Sequence, residues 1–365
     1  MGCDALPHIR AIASYVPGKP IAELAREFGL SEADIVKLAS NENPLGISPQ
    51  AKRAVAAALD DLALYPDGNG FALKQALSAR LAVGADQIVL GNGSNDVLEL
   101  AARVFLVPGR SAVFSEHAFA VYPLAIAACN AMPIQVAARD FGHDLTALRA
   151  AIRDDTAMVF IANPNNPTGT HLSNAEMADF LATVPARVMV VLDEAYTEFL
   201  DTPSDALAWL AQYPNLIVTR TFSKAYGLAG LRVGYALARP EVADLINRLR
   251  QPFNVNSLAL AAAEAALEDV DFLARSKRVN DEGRTQLLAA FKSLNLDAIP
   301  SVGNFICVKV GATAGVAQAV YQGLLRRGVI VRPVANYGLH GYLRVSIGLS
   351  HQNARFLAAL GEVLP

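Results

Sequence analysis

One lysine, Lys224, lies in the segment TFSKAYGLAGLRVGY (221–235), where the residue types and their spacing could do chemistry. Its amine can form a Schiff base with an aldehyde, and the nearby hydroxyl of Ser223 and guanidinium of Arg232 could hold a phosphate group. Glycines in the same segment would let the backbone approach a ligand closely. A lysine more often lies on a solvated loop, and for this segment alone that alternative stays open. The pattern indicates a phosphate-bearing aldehyde cofactor, pyridoxal phosphate.

A second segment, GNGSND (91–96), follows a short apolar run and precedes a helical pattern that begins near Ser94 and Asn95. Free backbone N–H groups at the start of a helix favour a phosphate. A dinucleotide-binding fingerprint would need a glycine where Asp96 stands, so a nicotinamide site is not indicated. Taken alone, the segment could also be a tight strand–helix turn.

Two more polar segments follow apolar runs. NPNNPTG (163–169) is held rigid by two prolines, and its Asn166 could donate a hydrogen bond to the phenolic oxygen of the cofactor. A plain Asn/Pro turn without a ligand has the same sequence pattern. In DEAYTEF (193–199), Asp193 follows five apolar residues and needs a partner at the edge of the core. A protonated pyridine nitrogen would suit it, with Tyr196 near the phenolic oxygen; a helix N-cap is the alternative.

The elements that must position these groups alternate between strand and helix. Apolar runs predict strands over 87–93, 111–116, 157–163, 188–196, 216–223, 232–238, 305–310, 329–334 and 342–348. Near-continuous apolar runs predict burial on both faces, hence an α/β fold with a mainly parallel sheet under helices. Ligands bind such sheets at the carboxyl ends of the strands, where the four segments above lie.

The pattern also predicts the domains. We expect an N-terminal arm over residues 1–47 that packs partly on the small domain. A large cofactor-binding domain would cover residues 48–265, and a small α+β domain of the βαβ type would cover residues 266–365.

Composition narrows the class of protein. The chain has 365 residues, 53% hydrophobic content and a net charge of −3, so neither nucleic acid nor an anionic membrane is an expected partner. Its cysteines are scattered without CxxC spacing, and its histidines show no ligand spacing, so we expect no disulfide framework and no metal site. No secretory signal is evident and no uncharged apolar run reaches the about 18 residues of a membrane span, which favours a cytoplasmic enzyme. The roles of His117 and His340 remain open.

On these motifs, the chain resembles the fold-type-I pyridoxal-phosphate aminotransferases, which share the aspartate-aminotransferase fold. The resemblance runs from about residue 10 to the C-terminus and rests on NENPLG (41–46), YP (65–66), GNGSND, NPNNPTG, DEAY, TFSKAYGLAGLRVGY and LRVSIG (343–348). It implies a catalytic Lys224 that binds the cofactor and carries the proton, an Asp193 that pairs with the ring nitrogen, and Asn166 and Tyr196 at the phenolic oxygen. The cofactor phosphate would be held by Ser94, Asn95, Ser223 and Arg232.

The resemblance also implies contacts outside the cofactor. Tyr65 would reach the cofactor of a partner subunit, hence a homodimer. The substrate would be bound by Arg344, assisted by Arg332, Tyr15 and Asn43. Many relatives carry a tyrosine in the segment SEHAFAVY (115–122), where this chain would stack Phe119 on the cofactor ring.

Within the family, the chain is most similar to the enzymes that act on histidinol phosphate, with 2-oxoglutarate as the amino acceptor. The region PVANYGLHGY (333–342) resembles a variant form that also includes enzymes for phenylalanine and tyrosine. A single arginine could bind either the phosphate ester or a carboxylate, so the aromatic donors remain the alternative. A pyridoxal-phosphate decarboxylase on the same scaffold is a remoter one.

Overall fold

The computed structural model describes residues 4–14 and 18–364. In chain order, the strands are β1 (Val36–Lys37), β2 (Ile88–Gly91), β3 (Ser111–Ser115), β4 (Met132–Val136), β5 (Thr156–Ala162), β6 (Met189–Asp193), β7 (Leu216–Thr221), β8 (Gly234–Ala238), β9 (Phe305–Lys309), β10 (Val329–Ile330), β11 (Arg332–Pro333) and β12 (Tyr342–Ser346).

The α-helices are α1 (Pro7–Arg10), α2 (Ile21–Phe28), α3 (Pro49–Ala57), α4 (Phe71–Leu81), α5 (Ser94–Phe105), α6 (Val121–Ala128), α7 (Leu145–Ala150), α8 (Asn174–Thr183), α9 (Ala206–Gln212), α10 (Pro240–Leu249), α11 (Ser257–Glu268), α12 (Val270–Ser293), α13 (Ala314–Arg326) and α14 (Ser350–Val363). Short 3₁₀ turns lie at Glu32–Asp34, Ala85–Gln87, Thr197–Phe199, Ala229–Leu231 and Ala335–Tyr337.

The large sheet has the strand order β2-β8-β7-β6-β5-β3-β4. All neighbours in it are parallel except β8, which runs antiparallel to both β2 and β7. Every residue of β5, β6 and β7 is buried, as their continuous apolar sequences predict. Register places Ala162 beside Asp193 and Asp193 beside Thr219, so the carboxyl ends of three parallel strands meet at one edge.

Helices cover both faces of this sheet, as predicted. Consecutive residues of β2 point to opposite faces, because strand side chains alternate. Ile88 packs into one core cluster with α4, α8, α9 and α11, whereas Val89 packs into another with α5, α6 and α10. The site edge is therefore fixed between two dry layers of side chains.

The C-terminal part contains a second, smaller sheet with the order β11-β12-β9, in which both pairings are antiparallel. Helix α13 follows β9 and leads into β10, and α12 and α14 help to enclose the core around Phe291, Val308 and Phe356. The N-terminal arm joins this part, since β1 pairs with β10 and Leu38 lies in the same core. The division into an arm (1–47), a large domain (48–265) and a small domain (266–365) stays a prediction. Helix α11 packs on the large sheet as far as Leu267, just past the proposed boundary.

Two strand predictions differ from the structure. The run 329–334 is not one strand: it divides at Val331 into β10, which pairs with the arm, and β11, which pairs with β12. The run 232–238 becomes a strand only at Gly234, because Arg232 adopts a left-handed backbone with φ 57° at the end of a 3₁₀ turn.

Candidate active site

A cavity of about 250 Å³ opens at the carboxyl ends of β5, β6 and β7. We call it the inner cavity. An adjoining outer cavity of about 160 Å³ shares Ser40, Phe119, Asn166 and Lys224 with it and extends to the small domain. The predicted residues Ser94, Asn95, Phe119, Asn166, Asp193, Tyr196, Ser223, Lys224 and Arg232 all line the inner cavity. The sheet topology thus brings together residues that are up to 138 positions apart, from Ser94 to Arg232.

Lys224 lies three residues beyond the end of β7, and its Nζ donates a hydrogen bond to the Ser40 carbonyl oxygen at 3.1 Å. Burial lowers the pKa of Lys224 to about 8, and the positive charges of Arg344 and Arg232 contribute in the same direction. A lysine with this pKa is partly neutral near pH 8. It can therefore attack an aldehyde and can accept a proton.

Asp193 is the last residue of β6 and is buried. The Tyr122 hydroxyl donates to its Oδ2 at 2.8 Å, and the Thr219 hydroxyl donates to its Oδ1 at 3.1 Å. Burial raises the pKa of Asp193, while these two hydrogen bonds lower it. A cation that enters the cavity beside Asp193 would favour its negative charge.

Tyr196 lies where a second polar contact with a ligand is possible. Its oxygen accepts hydrogen bonds from Asn41 Nδ2 at 3.0 Å and from Asn166 Nδ2 at 3.1 Å. Burial raises the pKa of Tyr196 to about 12, so the hydroxyl keeps its proton. Because both amides are donors to this oxygen, the O–H itself is left to donate to a ligand oxygen.

The opposite end of the inner cavity suits a phosphate. Helix α5 begins at Ser94 after Gly93, which has φ 80°. A Cβ on Gly93 would lie 2.2 Å from Arg232 Nη2, so only glycine lets the guanidinium lie against this turn. Arg232 Nη1 donates to Ser223 Oγ at 3.2 Å. A helix N-terminus, a hydroxyl and a guanidinium therefore converge on one point.

These groups fit pyridoxal phosphate. The cradle at Gly93 and Arg232 matches its phosphate, Asp193 its ring nitrogen, Tyr196 its phenolic oxygen and Lys224 its aldehyde. Phe119 lies on the cavity wall and contacts Tyr122 edge to face, with 5.9 Å between ring centres. The predicted stacking ring is therefore buttressed by the residue that holds Asp193.

The outer cavity is strongly basic. Arg344 and Arg332 are direct neighbours across β12 and β11, so both side chains leave the same face of the small sheet. The buried Arg344 donates to Asn166 Oδ1 at 2.5 Å and to the Ala39 carbonyl oxygen at 2.9 Å. Its Nε has no hydrogen-bond partner within the described residues. An anion in this cavity would meet two guanidinium groups.

Two predicted residues, Asn43 and Tyr65, do not line these cavities. Asn43 is placed elsewhere: its Nδ2 donates to the Ala225 carbonyl oxygen and to Ser276 Oγ, both at 2.8 Å, so it ties the arm to neighbouring elements. Tyr65 is 82% exposed on the surface. Tyr15 lies outside the described residues.

The two histidines with open roles also have defined places. His117 Nδ1 lies 2.6 Å from the Tyr337 carbonyl oxygen, which links the loop that carries Phe119 to the small domain. His340 is exposed and lines neither cavity. Among the described residues, no group of histidine, cysteine or carboxylate side chains could hold a metal ion. The described helices include none that is long and apolar enough to cross a membrane.

Three contributors to the site were missed from the sequence. Tyr122 and Thr219 hold Asp193, and Asn41 holds Tyr196. Asn41 belongs to the same NENPLG segment as Asn43, whose role in substrate binding stays a prediction. Tyr122 ends the segment SEHAFAVY, but nothing in that segment indicates a carboxylate partner.

Comparisons with known proteins agree with this geometry. Residues 33–360 match the family described as aminotransferase class I and II. The chain is 62% identical to histidinol-phosphate aminotransferase 1 of Thiobacillus denitrificans, with 100% of this chain and 96% of that protein covered. It is 61% identical to histidinol-phosphate aminotransferase 2 of Pseudomonas fluorescens, with 99% and 97% covered.

Solved structures show the same fold. Histidinol-phosphate aminotransferase from Sinorhizobium meliloti, in complex with pyridoxal 5'-phosphate, has a TM-score of 0.91 and 30% identity and covers 100% of this chain and 98% of its own. A single mutant of Thermus thermophilus aspartate aminotransferase, 21% identical with both chains covered completely, has a TM-score of 0.85 and supports the fold alone. The predicted fold class is confirmed, and the chain belongs to the class I and II aminotransferases.

Proposed function

We propose that this chain transfers an amino group between L-histidinol phosphate and 2-oxoglutarate with pyridoxal phosphate as cofactor, a step of histidine synthesis. The observation that carries the proposal is the 62% identity, over the whole chain, to a histidinol-phosphate aminotransferase. The geometry of the two cavities supports it independently, because their charges suit both the cofactor and a phosphorylated donor.

When bound, pyridoxal phosphate supplies an aldehyde that captures the donor amine and a ring that delocalises the electron pair released at the donor carbon. The chain's own residues do the rest. Lys224 Nζ would accept the proton from the amine-bearing carbon of the donor and pass it to the carbon that carried the cofactor's aldehyde, for which a pKa of about 8 is well matched. Asp193 would hold the positive charge on the ring nitrogen. Tyr196 would donate its O–H to the phenolic oxygen, and Arg232 would bind the phosphate.

The outer cavity supports a donor with a phosphate ester. Such a group carries close to two negative charges at neutral pH and has three acceptor oxygens, whereas a carboxylate carries one charge. Arg344 and Arg332 lie side by side there. Two guanidinium groups can bind a phosphate through several parallel hydrogen bonds, which favours histidinol phosphate over phenylalanine as the donor. The same pair can bind a carboxylate of 2-oxoglutarate in the second half of the cycle.

We also propose a homodimer that works in the cytoplasm. The segment 59–71 exposes four large apolar side chains besides Tyr65: Leu59, Leu62, Leu64 and Phe71. A surface of this kind is typical of a subunit interface. In a dimer, Tyr65 would reach the partner's cofactor. The free thiols of Cys129 and Cys307 suit a reducing compartment.

A donor screen tests the function. Purified protein with pyridoxal phosphate and 2-oxoglutarate is offered histidinol phosphate, phenylalanine or tyrosine, and glutamate formation and kcat/KM are measured for each. We expect histidinol phosphate to have the highest kcat/KM and Lys224→Ala to abolish turnover. A higher kcat/KM for phenylalanine would assign the chain to aromatic donors. Release of carbon dioxide without glutamate would assign it to a decarboxylase.

A further inference from the structure

Phe253 has an unusual backbone. Its φ is 58°, in the left-handed region that bulky residues rarely adopt, and its side chain is 45% exposed. A residue in this conformation persists only when surrounding contacts hold it, and such positions are concentrated at functional sites. The contacts around Phe253 therefore bear on what it does.

The contacts tie its segment to two parts of the site. Arg250 Nη1 donates to the Gly68 carbonyl oxygen and to Asn254 Oδ1, both at 2.8 Å. Asn254 Nδ2 in turn donates to Asp96 Oδ2 at 2.8 Å. Gly68 lies on the loop that carries Tyr65, and Asp96 lies in the first turn of α5. Residues 250–254 thus bridge the Tyr65 loop and the phosphate cradle.

Between these ties, the ring of Phe253 stacks on the ring of Tyr65. The ring centres are 4.7 Å apart and the planes differ by 22°. The fit is close, since a Cβ on Gly68 would lie 3.3 Å from two atoms of the Phe253 ring. The left-handed backbone of Phe253 places its ring against Tyr65, which remains 82% exposed on its other sides. An exposed side chain normally samples several rotamers, and a stacked ring restricts it.

We propose that Phe253 is a positioning residue that holds Tyr65 in the orientation in which it meets the cofactor of the partner subunit. If Tyr65 is already ordered, cofactor binding does not have to include the loss of its conformational entropy, and the affinity is higher. The hydrogen bond from Asn254 to Asp96 also fixes residues 250–254 to the phosphate cradle of the same chain. In a dimer, this segment would therefore support one site directly and the partner's site through Tyr65. The inference rests on the proposed homodimeric enzyme and adds to it a residue that acts through Tyr65.

Two substitutions separate the ring from the backbone. Phe253→Asn removes the ring but keeps a residue that tolerates the left-handed region, and Phe253→Tyr retains the stacking ring. Each full-length variant is titrated with pyridoxal phosphate, and cofactor binding is followed by visible absorbance. We expect Phe253→Asn to raise the dissociation constant about two- to tenfold, the range for ordering one side chain on binding. Phe253→Tyr should match the unmodified protein.

A double-mutant cycle tests whether the effect passes through Tyr65. In a Tyr65→Phe background, which lacks the hydroxyl to be positioned, Phe253→Asn should weaken binding no further. Gly68→Ala gives a milder test, because its Cβ displaces the Phe253 ring by only a few tenths of an ångström, and we expect a smaller rise in the dissociation constant than in Phe253→Asn. Sedimentation of each variant at the titration concentration checks assembly.

Several results would overturn the inference. These are an unchanged dissociation constant in Phe253→Asn, effects that multiply in the double variant, or a Phe253→Asn protein that is monomeric. In the last case the ring serves assembly and not orientation. Failure of the proposed function would look different, because the unmodified protein would bind the cofactor and leave histidinol phosphate unconverted in the donor screen.

Discussion

Removing the Tyr122 hydroxyl should weaken catalysis through Asp193. Tyr122 is fully buried, and its hydroxyl donates to Asp193 Oδ2 at 2.8 Å. In Tyr122→Phe the ring keeps its stacking on Phe160, with centres 5.0 Å apart, and its edge contact with Phe119. The substitution therefore removes one hydrogen bond while the packing stays in place.

The size of the effect follows from that bond. A hydrogen bond to a charged group contributes about 1.5–3 kcal/mol, which corresponds to about one to two pKa units. The Tyr122 bond lowers the pKa of Asp193, whereas burial raises it, so its loss moves that pKa upward. Asp193 must be ionised to hold a positive ring nitrogen. We therefore expect the acidic limb of the kcat profile to move to higher pH, and kcat below that limb to fall about ten- to a hundredfold.

The assay is the pH dependence of kcat with saturating cofactor and donor. Tyr213→Phe is the matched control, because Tyr213 lies at the end of α9 and lines neither cavity. Its pH profile should be that of the unmodified enzyme. An acidic limb of Tyr122→Phe that stays in place, with kcat within about twofold, would refute the role given to the hydroxyl.

Further expected outcomes follow from single groups. Gly93→Ala should weaken cofactor binding at least about tenfold, because its Cβ meets Arg232 and its φ is positive, whereas Gly230→Ala, with open space around it, should leave the dissociation constant unchanged. Uptake of pyridoxal phosphate by cofactor-free protein should accelerate about tenfold from pH 7 to pH 9, because the pKa of Lys224 is lowered to about 8; a flat rate would contradict this. Burial raises the pKa of Glu198 to about 7, so the folded state binds a proton that the unfolded state has released, and stability falls as pH rises from about 4.5 to 7. Glu198→Gln should therefore raise the free energy of unfolding in urea by up to about 3 kcal/mol at pH 8 and have little effect near pH 4.5.

Much of the site could be predicted because the motifs follow strands. Parallel strands place their carboxyl ends at one edge, so polar residues after β5, β6 and β7 had to converge there. Asn166, Asp193 and Lys224 do line one cavity. The order of the strands and the position of each motif after its strand are enough to predict this convergence, and the apolar runs indicate both.

Elements with weaker patterns were not predicted. Strand β4 (Met132–Val136) lies at the edge of the large sheet and is half exposed, so its sequence MPIQV lacks a continuous apolar run. The division of the run 329–334 depends on the arm, which pairs with its first half from about 290 residues away. The residues of β4 and of 329–334 do not themselves indicate these features, because both depend on contacts with strands that are distant in sequence.

The contacts that tune the chemistry were also beyond the sequence. Tyr122 reaches Asp193 across 71 residues, and Asn41 reaches Tyr196 across 155. Tyrosine and asparagine side chains form hydrogen bonds with many kinds of group, so the residue type alone does not predict the partner. The segment NENPLG predicted a substrate contact from Asn43, and nothing in it indicates that Asn41 would turn toward Tyr196.

The charge state of the site shows why the cofactor and the fold depend on each other. Without a ligand, burial disfavours both charges: it lowers the pKa of Lys224 and raises that of Asp193. The lysine is disfavoured further by Arg344 and Arg232. A bound phosphate would offset the guanidinium of Arg232, and a protonated ring nitrogen would offset Asp193, so the cofactor would bring an opposite charge to each. Binding of the cofactor should therefore raise the melting temperature. This rise should be smaller in Arg232→Gln, which has no guanidinium to pair with the phosphate.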